Sequence, residues 1–401
     1  MSARAQGRDR VGLWVVALGA LLALTTAASH SRVVIHPPQD HPPTLEETRK
    51  AMGIPSQSLA LRGQRDSIGF AWSAEQMAKV WELSASPPAP ESFGKIPAPG
   101  VAAVICPHDD YLYAGRVYRQ VLPLITAKTV ILIGVFHRYR TFGERDRLVF
   151  DPYRAWRTPD GPVPVSSLRE ALTARFTFED FVQDAAMHDS EHSLEALVYW
   201  LHHMRPDLEI VPIIVPVASF DRLQELADKL GIAISVALDA RGLKLGPDVA
   251  IAISTDGIHY GPDFKQTTFG EGGQASYDKA TAKDRTLLTG PLEGRLTKAK
   301  IKKLYETFVD PKSPDDYRWT WCGRFSVPFG LMVLRRIADS YGGQAVGHPV
   351  AYGTSMSAPE LPVKELGIGA TAPASLSHFV GYPAVAITIG GGDADSTTAP
   401  R

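Results

Sequence analysis

Val249-Ala250-Ile251-Ala252-Ile253-Ser254-Thr255-Asp256-Gly257-Ile258-His259 is the stretch that decides the fold. An unbroken apolar run, rich in Ile and Val, leads straight into a carboxylate and an imidazole. Continuous rather than alternating apolar character suits a strand covered on both faces, as in a largely parallel sheet. Residues 101–106, 129–135 and 210–217 repeat the pattern, and 384–389 reads as a closing strand. Helix-like segments lie between them, at about 114–125, 166–176, 191–204 and 220–238, with others near 276–289, 297–309 and 326–341. This alternation predicts an α/β three-layer sandwich with a central, mostly parallel or mixed sheet flanked by helices. Pro212 and Pro216 weaken one run as a strand or place it at an edge.

The remainder of the chain frames that core. Its 401 residues, 44% hydrophobic and 21% charged, suffice for one large α/β domain or two smaller ones. With 42 basic and 43 acidic side chains the formal charge is −1, which offers no field to attract nucleic acid. Arg4, Arg8 and Arg10 precede an uncharged run at 11–26 and then Ala27, Ala28 and Ser29. Residues 1–28 therefore read as a signal peptide or an N-terminal anchor, predicting export to a periplasmic or extracellular location, with membrane contact only through that segment if uncleaved. Residues 29–99 read as an irregular Pro-rich lead-in with one helix at 73–84, capped by Ser73. The α/β domain spans 100–390, and 391–401 reads as a disordered tail. Cys106 and Cys322 are the two cysteines; they could pair in an oxidising compartment, or Cys106 could be a buried thiol and Cys322 part of a site.

Histidines gather where strands end. His108 follows the 101–106 run by two residues, His137 follows the 129–135 run by two, and Asp256 and His259 follow 249–254. Ligands of open α/β sheets bind at that carboxyl edge. Imidazoles joined by a thiolate or carboxylate suit iron, copper, zinc or cobalt rather than calcium or magnesium, and Asp109, Asp110, Glu191 and Asp256 are carboxylates able to accept a ligating histidine's second N–H. His192 sits beside Glu191 at an expected helix start. His188 and His192 have the i, i+4 spacing of a zinc-binding pair, but no Glu directly follows His188, so the zinc-protease motif is absent. His202 and His203 read as one packed and one exposed residue. Tyr111 either packs or donates to a bound oxygen species.

In order, these segments resemble the Memo family, the B component of the AmmeMemoRadiSam group, itself similar in fold to class III extradiol ring-cleaving dioxygenases. The resemblance rests on Pro107-His108-Asp109-Asp110-Tyr111-Leu112-Tyr113-Ala114-Gly115, Gly134-Val135-Phe136-His137-Arg138, Ser190-Glu191-His192-Ser193-Leu194-Glu195, Ser254-Thr255-Asp256-Gly257-Ile258-His259-Tyr260-Gly261 and Cys322-Gly323. It implies that His108, His137 and Cys322 are metal ligands, with His192, Asp256, His259 and Glu191 around the same pocket as candidate catalytic groups. The chain departs from the family pattern at Asp109-Asp110, where the family has Ala-Gly, at Arg138, where it has a second His, and at Ser190, where it has Asp. The function so implied is that of a metal-dependent redox enzyme, iron or copper being favoured and zinc allowed, acting on a small molecule in the manner of a dioxygenase. A non-catalytic metal- or ligand-binding scaffold of the cell envelope and a zinc-dependent hydrolase are the alternatives.

Overall fold

The computed structural model describes residues 59–391, so residues 1–28, read above as a signal peptide or anchor, the first part of the lead-in and residues 392–401 lie outside the described residues. Nine of the eleven strands of its main sheet form one continuous path: β1 (Glu91–Ser92), β2 (Ala103–Cys106), β3 (Thr129–Val135), β4 (Leu148–Phe150), β5 (Phe181–Gln183), β6 (Glu209–Val215), β7 (Val249–Ser254), β8 (Gly343–Thr354) and β9 (Phe379–Gly391). Their order is β1-β8-β9-β2-β7-β3-β6-β4-β5. The centre, β2-β7-β3-β6, is parallel. Antiparallel pairings add β9, β8 and β1 on one side and join β4 to β6 on the other. The sheet is therefore mixed, as the sequence predicts.

Every residue of β3 and of β7 is buried. Each such Val or Ile contributes roughly 1.5–3 kcal/mol relative to an exposed side chain, so these short strands hold the centre by burial on both faces. Helices cover both sides. One layer contains α1 (Ala74–Leu83), α2 (Tyr111–Val121) and α3 (Glu195–Met204); the other contains α4 (Phe220–Arg241), α6 (Lys298–Phe308) and α7 (Ser326–Ser340), with α5 (Gln274–Thr289) against β8 and β9. Sequence-local caps fix several starts: Ser73 and Gln76 form a reciprocal capping box on α1, and Ser219 and Thr297 cap α4 and α6.

Three expectations change. Pro212 does not mark an edge, because β6 lies between β3 and β4. The Asp151 N–H still donates to the Pro212 carbonyl at 3.3 Å. The return bond that proline cannot make is replaced by the Arg169 guanidinium, which donates to the Asp151 carbonyl at 2.8 Å. Pro216 falls just beyond the strand. Helix α3 begins at Glu195, not 191, because the Glu191 carboxylate accepts the N–H groups of His192 and Ser193 and holds them in a loop. Finally, the long strand β8, with Gly, His and Pro in its sequence, is invisible to an apolar-run reading.

Candidate metal centre

Parallel pairing sets the site. Cys106 is in register with Ser254, and Ile133 with Ile253, so β2, β3 and β7 end at one edge of the sheet. The loops that follow carry His108, His137 and Asp256 to the same place. The His108 N–H donates to the Asp256 carboxylate at 2.9 Å, and the two side chains meet at 3.3 Å.

Hydrogen bonds fix which nitrogen of each ring is free. The Ser254 hydroxyl donates to the Ser193 carbonyl at 2.5 Å, so it accepts from His108 Nδ1 at 2.6 Å. His108 Nε2 is then a bare lone pair, 3.5 Å from Cys322 Sγ. His137 Nδ1 donates to Glu191 Oε1 at 2.9 Å, so in the neutral ring Nε2 is the free nitrogen. His259 Nδ1 lies 3.1 Å from the Gly257 carbonyl and 3.2 Å from that of Thr320; both are acceptors only, so Nδ1 carries the proton. Three imidazoles are thus held in the ligating tautomer by partners behind them. Burial, and then the neighbouring His137 and His192, pull His108 well below the usual histidine range and keep it neutral.

Cys322 reaches this point from the other end of the domain. The Asp256 N–H donates to its sulfur at 3.0 Å, and the Gly323 N–H donates to the Thr255 hydroxyl at 3.0 Å. A side chain at Gly323 would lie 2.4 Å from Thr255, so only glycine lets the two loops close on each other. Burial and the nearby Asp256 push the Cys322 thiol well up. Burial and Asp109 do the same to the Asp256 carboxyl. Burial thus disfavours the charged form of both groups.

The potential donor atoms fall into two clusters that share His108: His108, His137 and His192, and His108, Asp256 and Cys322. Both suit a transition metal. At usual metal–nitrogen and metal–sulfur lengths, tetrahedral donors sit roughly 3.5 Å apart, which matches the His108–Cys322 separation of 3.5 Å. His137 and Cys322, expected as co-ligands, fall in different clusters, and Asp256 and His192 stand as close to His108 as they do. The centre borders a cavity of about 340 Å³ lined by His108, His137, His192, Asp256 and His259 together with Asp66, Asp109 and Asp110.

Glu191 is not on that cavity wall. It accepts from the His137 N–H at 2.6 Å, from His137 Nδ1, and from the His192 and Ser193 N–H groups. Burial opposes its charge, but the His137 ring and the donated bonds outweigh it and hold the carboxyl well below the usual carboxylate range. Its place is behind His137. His188 does not pair with His192; it is buried, with Nε2 3.0 Å from the Val149 carbonyl. His202 is buried as expected, while His203 is half-buried and pairs with Asp160 at 3.0 Å. Tyr111 packs in the core, donates to the Ala196 carbonyl at 3.3 Å and does not line the cavity. Cys106 and Cys322 are both free and buried.

Asp109 and Asp110 are engaged rather than simply acidic lining. Tyr382 donates to Asp109 at 2.6 Å, and Thr371 holds Asp110 through its backbone at 2.5 Å and its hydroxyl at 2.9 Å. Sequence reasoning missed Asp66, whose carboxylate lies 3.6 Å from His192 Nδ1, although it belongs to the lead-in. It also missed Asp284, a buried carboxylate on α5 that accepts from Trp319 and Trp321 at 2.8 Å and from the Ile258 N–H and Tyr352 hydroxyl at 3.0 Å. That one anion ties the loop carrying His259 to the loop carrying Cys322. Nothing about its position in an amphipathic helix signals the role.

A mixed α/β sheet whose parallel strand ends bring imidazoles, a carboxylate and a thiol to one edge defines a class of protein with a transition-metal-type donor cluster. Residues 75–359 match the model of the Memo-like protein family, and the chain belongs to that family. Among curated relatives, a MEMO1 family protein of Caldivirga maquilingensis is 30% identical over 145 residues, 35% of this chain and 48% of the relative. One of Archaeoglobus fulgidus is 31% identical over 132 residues, 32% of this chain and 47% of the relative. One of Thermotoga maritima is 28% identical over 155 residues, 35% and 52% respectively. The aligned part of the chain thus spans about half the length of the relatives it matches.

Proposed function

We propose that the protein is a mononuclear metal-binding redox enzyme acting on a small molecule, in which His108, shared by both donor clusters, holds iron or copper with His137 and Cys322 closing on the ion from either side and Asp256 and His192 beside them. The observation that carries this reading is the fixed tautomer of His108: Ser254 takes the Nδ1 proton, and bare Nε2 faces the Cys322 sulfur at 3.5 Å. A structural histidine has no need of two such arrangements on one sheet edge, yet His137 and Glu191 repeat it. Two imidazoles and a thiolate are a borderline-to-soft donor set, which favours iron, copper or zinc over calcium or magnesium. Such a metal would supply oxygen binding and electron transfer to a bound substrate.

The chain's own residues bind, orient and move protons. The cavity of about 340 Å³ holds a small organic molecule beside His108. His259, its Nδ1 proton tied to two carbonyls, accepts at Nε2; burial lowers it below the usual histidine range, so it is a neutral base near pH 7. Burial lowers His192 likewise, although Glu191 opposes the shift. Oxygen consumption by the iron-loaded protein with a panel of catechols and other small phenols tests the catalytic part. Uptake with at least one substrate, lost on His259→Ala, is expected; no uptake with metal bound would move the protein to a non-catalytic binding role.

A further inference from the structure

A second cavity, of about 180 Å³, opens on the thiol side of the centre. Its wall includes His137, Cys322, Tyr139, Tyr317, Arg324 and Ser326, and of these only His137 also lines the larger cavity. The two spaces differ in charge. The larger has carboxylates; the smaller has two arginines, Arg140 and Arg324, of which Arg140 is paired with Asp315. Arg324 is only 3% exposed. It donates to the Tyr139 hydroxyl at 2.9 Å and to the Asp315 carbonyl at 3.3 Å, and it stacks over Tyr317 at 3.7 Å. It forms no ion pair with a carboxylate among the described residues; the Asp315 carboxylate is taken by Tyr139, Arg140 and Arg145.

A buried guanidinium without an anion is costly, and with five N–H donors and two protein acceptors Arg324 has bonds to spare. Its planar fork matches an oxyanion in two-point geometry. A second feature points the same way. Helix α7 begins at Ser326, on the cavity wall; the Val327 N–H goes to the Gly323 carbonyl and Pro328 has none, so Ser326 and the helix dipole are what favour negative charge there.

We propose that this smaller cavity is an oxyanion subsite, taking a carboxylate- or phosphate-sized group against the Arg324 guanidinium, with Ser326 at the positive end of α7 beside it. Anion binding there stands without the metal. What rests on the proposed metal centre is the consequence: a ligand anchored through its oxyanion would meet Cys322 and His137 from the side away from the acidic cavity.

The test is a titration of the full chain, metal-free and then metal-loaded, with sodium acetate or inorganic phosphate at constant ionic strength, sodium chloride being the control. The readout is the arginine Nε–Hε resonances of 15N-labelled protein, with the Arg324 signal assigned by its absence in Arg324→Lys. That signal is expected to move saturably with acetate, phosphate or both, and not with chloride; which anion acts identifies the oxyanion class. Binding followed by calorimetry is expected to weaken at least tenfold in Arg324→Lys, which keeps the charge and loses the fork. Shifts that do not saturate, that chloride reproduces, or that leave affinity unchanged in Arg324→Lys would overturn the proposal. If Arg324→Lys does not fold, assignment through the Tyr139→Phe variant, which perturbs the same resonance, leaves the wild-type titration decisive. Because the metal-free arm is read separately, loss of metal binding and loss of anion binding are distinct results.

Discussion

At the scale of the residue, function depends on protons held in place behind the ring nitrogens. Ser254 can accept from His108 only because its own hydroxyl proton goes to Ser193. Ser254→Ala removes that acceptor, leaves the His108 tautomer unspecified and should weaken metal binding roughly 10–100-fold. Competition against a chelator of known affinity measures this; an unchanged dissociation constant would remove the second partner from the account. His188 shows the opposite use of a buried imidazole. Burial lowers it to about 3, its Nε2 bonds the Val149 carbonyl and its Nδ1 has no hydrogen-bond partner. The unfolded chain binds this proton near pH 6.5 and the folded chain does not. The stability His188 contributes is therefore complete above about pH 6.5 and lost as pH falls toward 3, at a limiting slope of about 1.4 kcal/mol per pH unit. Urea denaturation at pH 7 and pH 4.5 should show wild type losing more stability than His188→Gln. Equal losses would mean that His188 is already protonated in the fold.

At the scale of the element, the four parallel strands do most of the positioning, and they were the most legible part of the sequence. The 129–135 and 249–254 runs coincide with β3 and β7, because burial on both faces leaves little but Val, Ile, Leu and small residues. Three of the five imidazoles on the larger cavity, those of His108, His137 and His259, could be placed from these strand ends. The supports behind them could not. Asp284 reaches Trp319, Trp321, Ile258 and Tyr352 across the fold, and β8 pairs along β9 with Gly and Pro in its run. Neither leaves a periodic trace, since each depends on partners distant in sequence. Asp284→Ala would strand two indole N–H groups, a hydroxyl and a backbone N–H in the core. A loss of about 3–5 kcal/mol is expected by chemical denaturation, with metal affinity falling because the His259 and Cys322 loops separate. A loss under about 1 kcal/mol would show that these donors find other partners.

At the scale of the whole molecule, the lead-in is part of the site rather than a preface to it. Arg62 is buried and donates to the Glu195 carboxylate at 2.6 Å and to the Glu191 and His188 carbonyls at 2.6 and 2.8 Å, which carries Asp66 to the cavity. A Pro-rich composition hides such a role, because irregular backbone gives no pattern to read. The fold brings His192, Asp256 and Cys322, distant in sequence, into two donor clusters that share His108, and no helix of the described residues is long and apolar enough to cross a membrane. The most direct test of the central claim is elemental analysis of the full chain purified without chelators, beside a His108→Ala, His137→Ala double variant of matched folding. The expected result is close to one iron or copper per wild-type chain and less than a tenth of that in the variant. Equal metal content in the two proteins, or none in wild type after reconstitution with iron, copper or zinc, would contradict it.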